Sequence, residues 1–366
     1  MALESDVSRD SRTDIPVCPG GIPVCPGGNP VCPVDNALLP RALQWAGPLL
    51  AAAYGAGVKI HRAISSPHAA ALPVICIGNL TVGGTGKTPA VKYFARTLAE
   101  RGRKPAVLMR GYKNQANDEA REVEQALREH KIPVLIGADR LAGATRARQS
   151  GCDCVLLDDG FQHWRLARDL DIVLIDATNP FGGGHLLPRG RLREPVEGLA
   201  RAGVVIVTRA NHASPGAVQI LSEKIRAIAP SALIASASHE VSAVYDCASG
   251  KPVDLAQHPV FGFCGIGNPD AFRETLSKNS RDVRGFRAFA DHCGYDVATL
   301  DREVVRAAKA AGAAMLVTTE KDATKLKAIA PQLELPVCVV AVSFKLLDNA
   351  DAALRRIAAA AHPALS

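Results

Sequence analysis

From Asn36 to Ala99 the chain has no aspartate or glutamate, while Arg41, Lys59, Arg62, Lys87, Lys92 and Arg96 supply six cations. A stretch of one charge sign favours an anionic surface as neighbour. Aromatic residues are scarce too, at 4% of 366 residues, so aliphatic side chains and alanine must fill the cores that a 48% hydrophobic content permits. With few rings for base stacking, a net charge of only +7 and no nucleic-acid-reading signature, no nucleic-acid partner is expected. The ten cysteines include no CxxC pair, and Cys152 and Cys154 fall in an apolar run that reads as a buried strand rather than a metal site. Reduced thiols in a cytosolic compartment are the simplest reading. A basic start followed by an apolar run is missing as well, so no signal peptide is expected.

What is present divides the chain into four parts. In residues 1–35, Pro-Val-Cys-Pro recurs around Cys18, Cys25 and Cys32 at a seven-residue step. Such short Pro/Gly units cannot bury a core and read as a disordered extension, with thiol–metal binding as an alternative. Residues 36–65 contain Ala42 to Val58, seventeen residues without charge. That run is short for a membrane span, and Gly47-Pro48 is expected to interrupt it. With Trp45 and Tyr54 as amphipathic anchors between Arg41 and Lys59, it reads as a segment lying in an anionic membrane surface. A helix packed on the protein's own core is the alternative.

Residues 66–235 open on Pro73-Val-Ile-Cys-Ile-Gly-Asn-Leu-Thr-Val-Gly-Gly-Thr-Gly-Lys87-Thr88. A strand that breaks into glycines and then Lys-Thr at a helix start is the layout of a phosphate-binding P-loop. Gly83, Gly84 and Gly86 let backbone N–H groups approach a polyphosphate; Lys87 would reach the β/γ-phosphates, and the Thr88 hydroxyl would ligate Mg²⁺. Thr81 stands where the strict pattern has its first glycine, and Val82 and Thr85 complete the loop. A nucleoside triphosphate and Mg²⁺ are therefore expected.

Beyond this loop, apolar runs alternate with helical patterns, which predicts an α/β fold with a mostly parallel sheet and helices on both faces. Helices are expected over Pro89–Arg101, Asp118–His130 and Arg140–Gln149, and strands over Lys104–Arg110, Ile132–Ile136 and Cys154–Leu157. Ligands gather at the carboxyl ends of such strands. Asp158 and Asp159 end one of them and resemble a Walker B element that holds Mg²⁺, with a helix cap as the alternative. Asp118 opens a helix, where an acid is favoured by the helix dipole. A second, smaller α/β unit is expected over residues 236–366. Its Gly265-Ile-Gly-Asn-Pro269 turn has Asp270 where a dinucleotide fingerprint needs glycine, so NAD is not expected. His292 follows an apolar run and is suited to proton work near neutrality.

In order, Asn79-Leu-Thr-Val-Gly-Gly-Thr-Gly-Lys-Thr-Pro89, Arg110-Gly-Tyr112, Asp158-Asp-Gly-Phe-Gln-His163, Leu187-Pro-Arg-Gly-Arg-Leu-Arg-Glu-Pro195, Gly265-Ile-Gly-Asn-Pro269, Asp291-His292 and Thr319-Glu-Lys-Asp322 resemble the blocks of the tetraacyldisaccharide 4′-kinase, or lipid A 4′-kinase, family. The resemblance covers about residues 37–350. It implies transfer of the ATP γ-phosphoryl group to the 4′-hydroxyl of a tetraacylated disaccharide 1-phosphate. It also implies a peripheral protein on the cytoplasmic face of the inner membrane. A base unit of Asp118 with His292 is implied as well. The family's Gly-Asp-Glu-Pro reads Asn117-Asp118-Glu119-Ala120 here, and its Pro-Ala-Gly-Pro reads Pro188-Arg189-Gly190-Arg191.

A carboxylate oriented by an imidazole can take the proton of a sugar hydroxyl, while Lys87, Mg²⁺ and Arg193 neutralise the transferring phosphoryl group. Arg189 and Arg191 would meet the substrate's 1-phosphate or lipid headgroups, or form a solvated basic loop. Two other readings stay open: a membrane-associated P-loop ATPase, against which Val82 counts because such proteins carry a lysine there, and a kinase for another glycolipid.

Overall fold

Short runs of valine, isoleucine and leucine form strands buried on both faces, as a sheet covered by helices requires. The computed structural model describes residues 45–111, 116–291 and 293–362, with residues 116–118 described by backbone alone. The Cys-Pro repeats, Tyr112 and His292 lie outside the described residues. The strands are β1 (Val74–Asn79), β2 (Pro105–Met109), β3 (Val134–Ile136), β4 (Cys154–Asp158), β5 (Leu170–Asp176) and β6 (Val204–Thr208). They continue with β7 (Leu233–Asp246), β8 (Val260–Cys264), β9 (Val283–Ala288), β10 (Met315–Thr319) and β11 (Val337–Leu346). Among the described residues they form one 11-stranded sheet in the order β3-β2-β4-β1-β5-β6-β7-β11-β10-β8-β9. Ladders are parallel throughout except between β7 and β11.

The long strand β7 joins the two halves of the sheet. Its start, Leu233 to Ser236, runs parallel to β6, and its remainder, Ala237 to Asp246, runs antiparallel to β11. Helices α1 (Gly47–Ile64), α2 (Lys87–Glu100), α3 (Ala116–Leu127), α4 (Arg140–Gln149) and α5 (Pro215–Ile228) belong to the first half. The second half carries α6 (Pro269–Asn279), α7 (Val297–Leu300) and α8 (Arg306–Ala310), the last two joined by a π turn, then α9 (Glu320–Leu326) and α10 (Ala350–Ala360). Ala353 and Ile357 of α10 return to the core of the first half, beside Ile75 and Phe94. Phe261, Phe263, Leu300 and Leu316 centre a separate core in the second.

Gly47-Pro48 stands at the boundary of α1 within the uncharged run. The helix begins there, with Pro48 in the first turn, where its missing N–H costs nothing. Cys152 and Cys154 are buried, Cys154 within β4, as the apolar run predicts.

Candidate functional site

The phosphate loop follows β1 and ends at Gly86, the left-handed N-cap of α2, with φ at 86°. Gly83 is also left-handed, at φ 114°, and the Thr85 N–H donates to its carbonyl across 3.1 Å. The Asn79 side chain closes the loop, donating to Thr85 Oγ1 at 2.9 Å and accepting from Lys87 Nζ at 3.3 Å. A second segment braces it: Val82 N–H donates to the Arg191 carbonyl, and Arg193 N–H to the Leu80 carbonyl, each at 2.8 Å. The Arg191 guanidinium lies beside Gly83, where an added Cβ would stand 3.1 Å from Nη1, while Arg189 is exposed. Arg191 thus packs against the phosphate loop.

Asp158 and Asp159 leave β4 toward this loop and diverge there. Asp159 sits at φ 52° and takes Arg193 Nη1 at 2.8 and 2.9 Å, with Lys87 Nζ 3.7 Å away. Burial alone would raise its pKa, but Lys87 and Arg193 hold it below the usual carboxylate range. Asp158 has a buried Oδ1 without a hydrogen-bond partner. Burial, and then the Asp159 charge, push its carboxyl up to about 7. A hard, unpartnered oxygen beside the Lys87-Thr88 helix start fits a Mg²⁺ site that triphosphate oxygens would complete. Among the described residues no group of three His, Cys, Asp or Glu side chains stands ready to hold a metal by itself.

The second half of the chain finishes the loop. A Cβ on Gly267 would lie 2.5 Å from the Gly84 nitrogen, so the Gly265-Ile-Gly-Asn turn packs directly on the phosphate loop. Asn268 caps α6 and donates to Asp176 Oδ2 at 3.0 Å, at the end of β5. His239, from β7, lies against Gly86, whose added Cβ would meet its Cε1 and Nε2 at 2.6 Å. Both His239 ring nitrogens are buried without partners; burial, and then the Arg209 charge, push its pKa down to about 3.

These groups line a cleft of about 840 Å³. At its α1 end stand Tyr54 and His61, and its other walls include Arg110, Arg140, His163, Glu119 and Lys321. The His163 pKa is depressed by burial and then by Arg140, Arg168 and Arg110, so this wall is strongly cationic. Helix α1 packs through its small residues Gly47, Ala51 and Gly55, with a Gly55 Cβ due 2.7 Å from Leu186 Cδ1. Tyr54 Oη donates to the Arg193 carbonyl at 3.0 Å, so the helix touches the phosphate-loop brace. Its opposite face leaves Leu49 75%, Ile60 62% and Ile64 74% exposed, and Trp45, just before the helix, is 80% exposed. No helix among the described residues is long and apolar enough to cross a membrane.

The structure thus brings together Thr81, Val82, Gly83, Gly84, Thr85, Gly86, Lys87, Thr88, Asp158, Asp159 and Arg193. Asp118 lies in the first turn of α3, its side chain outside the described atoms, and His292 lies outside the described residues. Sequence reasoning passed over Asn79, Gln162, His239 and Asn268. Asn79, Gln162 and Asn268 all sit inside the sequence blocks named above, and that was the signal that could have found them. His239 had none, since nothing local in Ser238-His239-Glu240 tells that β7 passes against Gly86.

The model of a family described as Tetraacyldisaccharide-1-P 4′-kinase matches residues 43–360. A tetraacyldisaccharide 4′-kinase of Anaeromyxobacter dehalogenans (strain 2CP-C) is 41% identical over 327 residues, which is 83% of this chain and 86% of that relative. One from Syntrophus aciditrophicus is 39% identical over 301 residues, 75% of this chain and 80% of its own length. The crystal structure of LpxK from Aquifex aeolicus in complex with ATP matches the fold at a TM-score of 0.64 and 24% identity, over 87% of this chain and all of that one.

Proposed function

The chain belongs to the tetraacyldisaccharide 4′-kinase family, and from that premise we propose how its own residues phosphorylate the acceptor. ATP lies with its phosphates on the Gly83–Thr88 loop and its base toward His239, whose buried nitrogens supply hydrogen bonds. The complex of the related Aquifex aeolicus protein with ATP supports this donor. Lys87 and Arg193 neutralise the triphosphate, with Arg191 beside Gly83 as a third cation. Thr88 and Asp158 are the residues that would hold Mg²⁺, with Asp159 orienting Lys87 and Arg193. When bound, the ion neutralises charge on the phosphoryl oxygens.

The acceptor is an acylated disaccharide 1-phosphate. Asp118 accepts the proton of its 4′-hydroxyl, and His292 orients that carboxylate. The cationic wall of Arg110 and Arg140, with the neutral His163 imidazole beside it, suits the substrate's anionic end. The acyl chains and the exposed face of α1 share one anionic membrane surface, with the protein peripheral on the cytoplasmic face of the inner membrane. One observation carries this reading: the cleft with Lys87 and the unpartnered Asp158 oxygen continues to Tyr54 and His61 of an apolar-faced helix.

Incubation with [γ-³²P]ATP and the disaccharide 1-phosphate tests the reading. Label in the lipid is expected, and orthophosphate release without labelled lipid would overturn it. Asp118→Ala should lower kcat by roughly 10²–10⁴, the range for a lost general base; near-normal turnover removes Asp118 from the chemistry. Pelleting with anionic vesicles should fall when Trp45, Leu49, Ile60 and Ile64 are changed to serine, and unchanged pelleting refutes the membrane placement.

A further inference from the structure

The two residues assigned to proton transfer come from opposite halves of the sequence, and α9 touches the neighbours of both. Lys321 Nζ lies 2.9 Å from Asp291 Oδ1 and 3.3 Å from Glu119 Oε1. Asp291 immediately precedes His292, and Glu119 immediately follows Asp118. One turn further along α9, Lys325 Nζ donates to the Cys293 carbonyl at 2.9 Å. The i, i+4 spacing puts both lysines on one helix face, so α9 grips the chain on each side of position 292 while reaching across to the start of α3.

The platform from which they reach is itself rigid. Thr319 caps α9, its hydroxyl accepting from the Asp322 N–H at 3.2 Å and donating to Asp322 Oδ2 at 2.8 Å. Asp322 is fully buried; it also accepts from the Gly265 N–H and from Tyr295 Oη, each at 3.0 Å. Gly265 begins the turn that packs on the phosphate loop, so α9 is fixed relative to that loop. A neighbouring contact repeats the cross-link: Lys92 of α2 lies 2.9 Å from Glu122 of α3 and 3.7 Å from Glu320 of α9. Burial disfavours the charged form of Lys321, yet Asp291 and Glu119 hold its pKa above the ordinary lysine value, so it stays cationic.

We propose that Lys321 is a positioning residue that sets the placement of Asp118 and His292 relative to each other and to the phosphate loop, with Lys325 fixing the far side of position 292. The inference rests on the reading of Asp118 and His292 as the proton-transfer pair. Its ion pairs are partly exposed, and such pairs add little to global stability. Their effect is geometric, and a misplacement of about 1 Å costs a reaction roughly 10²-fold.

The test compares Lys321→Met, Lys321→Arg, Asp118→Asn and the Lys321→Met/Asp118→Asn double variant in the full-length enzyme. Lys321→Met is expected to lower kcat by about 10–10²-fold, with the dissociation constant for ATP within about twofold and the melting temperature nearly unchanged. Lys321→Arg, which keeps the charge and reach, should restore most of the rate. In the Asp118→Asn background Lys321→Met should add no further loss, since a positioning residue acts only through the group it positions. Multiplicative losses in the double variant, or equal loss in the Met and Arg variants, overturn the proposal. Loss of ATP affinity or of folding in step with rate overturns it too. If Asp118→Asn alone keeps normal turnover, the proton-transfer reading fails instead, and that result is separate from anything the Lys321 variants show.

Discussion

Replacing Arg201 with methionine removes one partner of a deeply buried ion pair near the phosphate loop. Glu194 is 2% exposed and Arg201 17%. The pairing is bidentate, with Nη1 to Oε2 and Nη2 to Oε1 both at 2.9 Å. The guanidinium also lies 4.2 Å from the centroid of the Phe161 ring, which is fully buried. Arg201→Met keeps the apolar contact with Phe161 but leaves the Glu194 carboxylate with Gln162 Nε2, at 2.9 Å, as its remaining side-chain donor. A buried charge stripped of its partner costs about 3–5 kcal/mol. The Glu194→Gln/Arg201→Met double variant removes the stranded charge as well and should cost only about 1–2 kcal/mol, the scale of neutral hydrogen bonds. Urea denaturation followed by both circular dichroism and tryptophan fluorescence measures both values. A single-variant loss under about 1 kcal/mol, or a double variant less stable than the single, refutes the argument that a stranded carboxylate sets the cost.

Three other outcomes follow from the site. Asp158 has a folded pKa raised from 3.8 to about 7, so its contribution to stability is complete below about pH 4 and lost as pH rises through 7. Asp158→Asn should therefore match wild type in acid and exceed it by about 2–4 kcal/mol at pH 8, while phosphorylation is lost; a stability difference that is flat with pH contradicts this. His239→Ala should raise KM for ATP about 5–100-fold, the worth of a buried hydrogen bond of 1–3 kcal/mol, with kcat nearly constant, and a kcat effect without a KM effect would remove His239 from nucleotide binding. Gly267→Ala would place a Cβ 2.5 Å from the Gly84 nitrogen, so ATP binding measured by calorimetry should fall at least tenfold, roughly 1.4 kcal/mol; unaltered affinity would show that the turn does not shape the loop.

The parallel sheet was legible because its signal is local: apolar runs of strand length alternating with helical patterns, each run ending in the residues that chemistry needs. The phosphate loop was legible for the same reason, as glycine, lysine and threonine at fixed spacing leave few other structures open. Gly47-Pro48 marked a boundary without saying which side of it is helical, because proline breaks a helix in its interior yet favours its first turn, and only the packing of Gly55 and Tyr54 shows the helix running on from it. Contacts between distant segments were not legible. That Gly267 meets Gly84, that His239 covers Gly86 and that Lys321 spans Glu119 and Asp291 are consequences of how β7 and β11 bring the second half against the first. Resemblance located the blocks that carry most of these residues without saying which of them touch.

The adjacent acids at the end of β4 show what the packing adds. As sequence, Asp158 and Asp159 are equivalent Walker B candidates. In the fold, the left-handed conformation of Asp159 turns its carboxylate toward Lys87 and Arg193, which keep it ionised. Asp158 remains buried beside that charge, and its own ionisation is pushed to about 7. Pairs of acids whose environments drive their pKa values apart take different roles in a reaction. Asp159 pairs with the two cations beside the phosphate loop, whereas Asp158 is still partly protonated near neutral pH. With Mg²⁺ held by Asp158 as proposed, part of a proton should leave the protein as Mg²⁺ and ATP bind near neutral pH, and more of it in mild acid. Calorimetry in buffers of different ionisation enthalpy reads that proton directly, and a binding enthalpy independent of buffer would assign the metal to another group.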